Sequence, residues 1–131
     1  MLYTKSIIKQ KSLEDGCRIS VMSRHTLNDG ITIDSRILPD SFDEWCKILG
    51  PQDKLIGDYY KNGLSWEFFE SKYLEYIRKT QIAKFVRVLA QRSLNQDITI
   101  LCIEDMENKC HRRLLAEECQ KYEPLLMVEH R

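Results

Sequence analysis

Residues 97–122 read DITILCIEDMENKCHRRLLAEECQKY: a strand, an acidic loop and a helix in succession, around which the rest of the chain is arranged. From Ile98 to Ile103 six residues run apolar or β-branched, which suits a strand buried on both faces. Glu104, Asp105, Met106 and Glu107 follow as loop, and Asn108 is a good N-cap for a helix reaching about Tyr122. The opening turn then holds Lys109, Cys110, His111 and Arg112, with Arg113 behind. That is the wrong sign of charge, because a helix N-terminus carries partial positive charge and favours Asp or Glu. Either the acidic loop supplies a compensating anion, or a ligand does.

A chain of 131 residues is one domain with room for a single core. Twenty basic residues balance twenty acidic ones, so no global field draws in nucleic acid or anionic membrane. No apolar run approaches the roughly 20 residues of a membrane span, and the first residues lack the apolar core of a signal peptide. Cysteines stand at 17, 46, 102, 110 and 119, an odd and irregular set. Without a leader that pattern reads as reduced thiols of a cytoplasmic protein.

Taken in order, residues 4–9 have β character, and residues 11–16 supply a turn ending in Asp15-Gly16. Residues 17–22 are the second strand, which delivers Ser23, Arg24 and His25 at its carboxyl end. Ligands of open α/β sheets bind beyond that end of the strands. If this strand and the one at 98–103 are parallel neighbours, Arg24 and His25 face Cys110, His111 and Arg112. Residues 26–42 have no helical period and read as a long ordered loop, of the kind that carries function. Residues 43–49 are expected as a short helix closed by Gly50, with Pro51 opening the next, over 52–61. Ser65 caps a helix whose stripe is Trp66, Phe69, Tyr73 and Ile77, best read as core. Residues 81–92 show another apolar face, with Thr80 either a break or a bend, and residues 125–128 suit an edge strand.

Three constellations carry possible chemistry. Cys102, Glu104, Cys110 and His111 are zinc-compatible types. However, adjacent helical residues diverge by about 100°, and no Cys-x-x-Cys pair exists, so no metal site is expected. Cys110, at a helix N-terminus beside Lys109, His111 and Arg112, is placed as a nucleophile, with packing against Leu114 as the plain alternative. Arg24 and Arg112 suit a clamp on phosphate or carboxylate. The alternative is an ion pair of either arginine with Glu104 that fixes the loop. His25 borders the same crevice; His130 does not.

These residues carry a resemblance that runs almost end to end. Glu14-Asp15-Gly16-x-Arg18, Ser23-Arg24, Asp29-Gly30, Asp43-Glu44-Trp45, Leu49-x-Pro51 and Trp66-x-x-Phe69-x-x-x-Tyr73 lead to Leu101-Cys102-x-Glu104 and Cys110-His111-Arg112. In this the chain resembles the family catalogued as domain of unknown function 488 (DUF488), in its YeaO-like branch, with the Cys-His-Arg motif the most specific part. The resemblance implies a single α/β domain over residues 1–131 with a small, Rossmann-like, mainly parallel sheet flanked by helices. It implies no established activity, and the cofactor is unknown. YeaO-like chains carry an acid before the first arginine where this one has Ser23, and the second arginine of their segment has no counterpart here.

The expectation is therefore a pocket at the strand carboxyl ends, with Cys110 and Glu104 for chemistry and Arg24, His25, Cys102, His111 and Arg112 for binding. Its expected occupant is a small anionic ligand, phosphorylated or nucleotide-like. The rival is a non-enzymatic interaction module in which Cys110-His111-Arg112 is structural and the 26–42 loop meets a partner.

Overall fold

Strand 98–102 is the middle of the sheet, and its sequence says why. In the computed structural model, which describes residues 1–131, β4 (Ile98–Cys102) is buried at every position. It lies between β1 (Leu2–Ser6) and β2 (Cys17–Ser20), with β3 (Glu44–Trp45) and β5 (Val128–His130) at the edges. The order is β3-β2-β4-β1-β5 and every pairing is parallel. Register runs from Leu2↔Ile98 to Ser6↔Cys102 on one side and from Cys17↔Ile98 to Ser20↔Leu101 on the other. Cys102 and the residues after Ser20 therefore emerge side by side at the carboxyl edge, as the sequence leads one to expect.

Alternation divides the strands into two faces. Leu2, Ile19, Ile98 and Ile100 enter the main core with Phe69, Tyr73, Val86, Leu89, Leu114 and Leu115 from α2 (Trp66–Ile77), α3 (Thr80–Asn95) and α4 (His111–Tyr122). Lys5, Arg18 and Thr99 point the other way and meet Asp15, which is fully buried. A second, smaller apolar cluster of Ile7, Met22, Ile37, Leu101, Cys102 and Cys110 closes the carboxyl edge. No helix is long and apolar enough to cross a membrane, and all five cysteines are free thiols.

Several boundaries differ from the sequence reading. β1 begins at Leu2 and ends at Ser6, because Leu2 has a buried place opposite Ile98 and the chain turns after Ser6. Residues 43–49 are not one helix: Glu44 and Trp45 pair with Ile19 and Ser20 as β3, and only Lys47–Leu49 makes a 3-10 turn. Pro51 sits outside the next helix, α1 (Asp53–Asn62), whose N-cap is Gln52. Thr80 is the first residue of α3 after a true break at Arg78 and Lys79. The last strand lies at Val128–His130, because Leu126 N–H turns back to Glu123 O and only then does the chain extend. The correction that matters for the site is at Asn108. It does not cap the helix; Cys110 does, in an extended conformation (φ −141°, ψ 140°), with the helix starting at His111.

Candidate functional site

Between the ends of β2 and β4 the chain leaves a cavity of about 310 Å³. Three segments supply half of its wall: Met22, Ser23 and Arg24 after β2; Cys102, Ile103 and Glu104 after β4; and Lys109, Cys110 and His111 at the start of α4. Tyr59, Tyr60, Trp66 and Phe69 from α1 and α2 line it as well, and Thr26, Asn28 and Arg36 bring the 26–42 loop to it. Of the expected site residues, Arg24, Cys102, Glu104, Cys110 and His111 are thus brought to one hollow, while His25 and Arg112 are not on its wall.

His25 turns the other way. Its Nε2 lies 2.7 Å from Ser20 Oγ, and its ring packs on Phe42 and Trp45 at centroid distances of 4.8 and 4.2 Å. Burial there holds its pKa below the ordinary histidine value. Arg112 is fully buried. Its Nη1 donates to Glu104 O at 2.7 Å and lies 3.3 Å from Cys110 Sγ, and its Nη2 donates to Asp105 O at 3.2 Å. Arg112 therefore fixes the loop, as one reading expected, but through main-chain oxygens and not through the Glu104 carboxylate. Arg113 is answered by Glu117 and Glu70. Arg113 is thus compensated within the chain and needs no ligand anion, whereas Arg112 is held by carbonyls and a sulfur with no carboxylate against it.

The Glu104 carboxylate accepts a hydrogen bond from Tyr60 Oη. Burial, reinforced by that carboxylate, raises the Tyr60 pKa well above the ordinary phenol value, so the hydroxyl stays a donor. His111 Nε2 is 2.7 Å from Val21 O. A carbonyl only accepts, so Nε2 carries a proton, and Nδ1 lies 3.6 Å from Cys102 Sγ. The two thiols are unequal. Hydrogen bonding from Cys110 lowers the Cys102 pKa against the effect of burial, helped by the Arg112 charge and the Glu104 and Ile103 N–H groups. Burial pushes the Cys110 thiol well up, and its hydrogen bond to Cys102 adds to this. The helix N-terminus favours Cys110 as the nucleophile when read from sequence; in the fold it is the Cys102 thiol that is lowered and the Cys110 thiol that is raised.

Two cations on the wall have no carboxylate partner: neither Arg24 nor Lys109 makes an ion pair, whereas Arg36 is held by Asp34 at 2.7 Å. Arg24 leans over Gly30, where a Cβ would come 2.8 Å from its Nη1, and Gly30 itself takes φ +74°. Ser23 is a wall residue, 7% exposed, whose Oγ is itself buried and has no hydrogen-bond partner. Sequence reasoning missed Ser23, Lys109, Tyr59, Tyr60 and Trp66 as wall residues. Trp66 sat in a stripe that reads as core, and α1 gave no signal of which of its tyrosines face the sheet edge.

No curated protein and no solved structure matches the chain. A family model does: that of DUF488-N3a, described as the active DUF488-N3 subclade, matches residues 2–123. That span takes in every wall residue of the cavity, and the chain belongs to the DUF488 family.

Proposed function

We propose that the cavity recognises a small anionic ligand, phosphorylated or nucleotide-like. Arg24 and Lys109 meet the anion, and Tyr59, Tyr60 and Trp66 lie beside its ring. The observation that carries this reading is the pair of unpartnered cations, Arg24 and Lys109, on one wall of the cavity. A guanidinium fork and an ammonium on one wall suit the oxygens of phosphate, each charged hydrogen bond contributing about 1.5–3 kcal/mol. Where the ligand reacts, Glu104 is the group placed to exchange a proton with it, its carboxylate held on the wall by Tyr60.

The test is a thermal-shift series with inorganic phosphate and a panel of nucleoside monophosphates. A ligand at about 100 times its Kd stabilises by about 2.7 kcal/mol, a rise of several degrees in Tm. Arg24→Ala should abolish that rise and Lys109→Ala should reduce it, both folding normally without ligand. No rise in the wild type, or an equal rise in Arg24→Ala, contradicts the proposal.

One observation favours the rival reading as an interaction module. Ile31 and Ile33, at 84% and 76% exposed, stand out on the 26–42 loop with Leu38 beyond them. That reading expects the ligand panel to be silent and Ile31→Asp to disrupt a partner complex while leaving the fold intact.

A further inference from the structure

We propose that Cys102 Sγ, Cys110 Sγ and His111 Nδ1 bind one zinc ion as a three-ligand site whose fourth position opens onto the cavity. Adjacent residues 110 and 111 diverge only if both are helical. Cys110 is the extended N-cap and His111 the first helical residue, so the backbone bend between them turns both side chains toward Cys102. The three ligand atoms all lie within 4.8 Å of one another and all three residues are buried.

The details suit zinc better than they suit a packed apolar cluster. With Zn–S near 2.3 Å and Zn–N near 2.0 Å, a tetrahedral S···N edge is about 3.6 Å, and Cys102 Sγ to His111 Nδ1 is 3.6 Å. Closing the wider separations onto tetrahedral edges of about 3.5–3.8 Å needs side-chain shifts of about 1 Å. His111 already donates Nε2–H to Val21 O at 2.7 Å, the outer hydrogen bond that fixes a metal-binding imidazole in the Nδ1-ligating tautomer. Arg112 supplies a further argument. Its guanidinium is fully buried, meets no carboxylate, and reaches only two carbonyls and Cys110 Sγ, while its Nε has no partner. A buried cation needs a counter-charge, and thiolate sulfur is the negative charge within its reach. Two thiolates side by side in turn need a dication between them.

Two thiolates, a neutral imidazole and Zn²⁺ sum to zero, so Arg112 and Arg24 leave the open position favourable to an oxygen anion: hydroxide, or an oxygen of a ligand in the cavity. Two cysteines and a histidine with an open fourth position form the reactive class of zinc site, distinct from the closed four-ligand structural class. Softer sulfur ligands select zinc over magnesium or calcium. The proposal stands without the anion-binding reading, because the metal is held by the chain alone.

The experiment uses the full chain, purified in reductant and without chelator. Elemental analysis should find close to one zinc per chain. Chelated, reduced protein titrated with Co²⁺ should develop the visible d–d bands of a tetrahedral site and a thiolate-to-cobalt charge-transfer band in the near ultraviolet. Cys102→Ser should lose the charge-transfer intensity, His111→Ala should shift or lose the d–d bands, and Cys17→Ser, whose thiol lies outside the site, should keep both. If the ligand variants fail to fold, the wild-type spectrum still decides. Substoichiometric zinc with no cobalt bands in the wild type overturns the proposal, as does a Cys102→Ser spectrum identical to wild type. The cobalt spectrum needs no anion, and the phosphate response of metal-free protein is measured separately, so the two readings fail independently.

Discussion

Arg112 is met where a charge is hardest to keep: fully buried, with main-chain oxygens of Glu104 and Asp105 and the Cys110 sulfur as its only hydrogen-bond partners. Read from sequence it is a ligand clamp; in the fold it is the post to which the 104–110 loop is tied. Truncating it strands two carbonyls and leaves a cavity. Orphaned buried acceptors cost about 1–3 kcal/mol each, so Arg112→Ala should lower stability by about 2–5 kcal/mol in denaturant unfolding, with or without phosphate. Arg112→Lys should recover little, because a point-like ammonium cannot bridge both oxygens as the planar fork does. A change below 1 kcal/mol would mean the loop is held by something else. Arg24 is the opposite case, a cation on the cavity wall with no ion pair, whose loss should cost binding and little else.

Elements place these residues. α2 begins at Ser65, whose hydroxyl accepts Phe68 N–H, and its Tyr73 and Tyr76 hydroxyls donate to Leu49 O and Ile48 O at 2.6 and 2.7 Å. Those two bonds pin the 3-10 turn that leads into Gly50, and Gly50 lies so close to the chain after β2 that a Cβ would come 2.5 Å from Ser23 N. Tyr73→Phe should therefore destabilise by about 1–2 kcal/mol, the cost of a buried carbonyl left unpaired. It should also weaken the phosphate response through Ser23 and Arg24. An unchanged urea midpoint would show that the turn holds without it. The stripes of α2 and α3 were legible because helical periodicity is a local signal. β3 was not, because a two-residue strand exists only through its pairing with Ile19 and Ser20, which no local pattern announces. The Asn108 cap was misplaced for a related reason: the loop makes a further turn, Cys110 N–H to Glu107 O, before the helix begins. That delay of two residues is what brings Cys110 and His111 together at the site.

Over the whole molecule the sheet separates two kinds of chemistry. One face holds the apolar core; on the other, Asp15 is fully buried among Lys5 at 3.1 Å, Arg18 at 2.6 Å and Arg131 at 3.5 Å. Burial pushes the Asp15 pKa up, but the Ser12 N–H, Lys5 and Arg18 together outweigh it and hold the carboxyl below its ordinary value. A depressed carboxyl contributes stability that is complete above the unfolded value near 4 and is lost as pH falls through the folded one. Acid unfolding should accordingly begin below about pH 4, and Asp15→Asn should remove about 3–5 kcal/mol at neutral pH by leaving Lys5 and Arg18 unpaired. A flat acid profile in wild type, matched by the variant, would contradict this. The parallel sheet and the crevice at its carboxyl edge could be read from β4 and its flanks, since a strand buried on both faces implies both. Which cations face that crevice could not, because Arg112 and Arg24 look alike until the loop's carbonyls are placed. The central claim, that Arg24 and Lys109 hold an anion in this cavity, is tested most directly by a crystal structure of metal-free protein soaked in inorganic phosphate. Phosphate bridging Arg24 and Lys109 is the predicted result; an empty cavity at saturating phosphate, or phosphate bound only elsewhere on the surface, would contradict it.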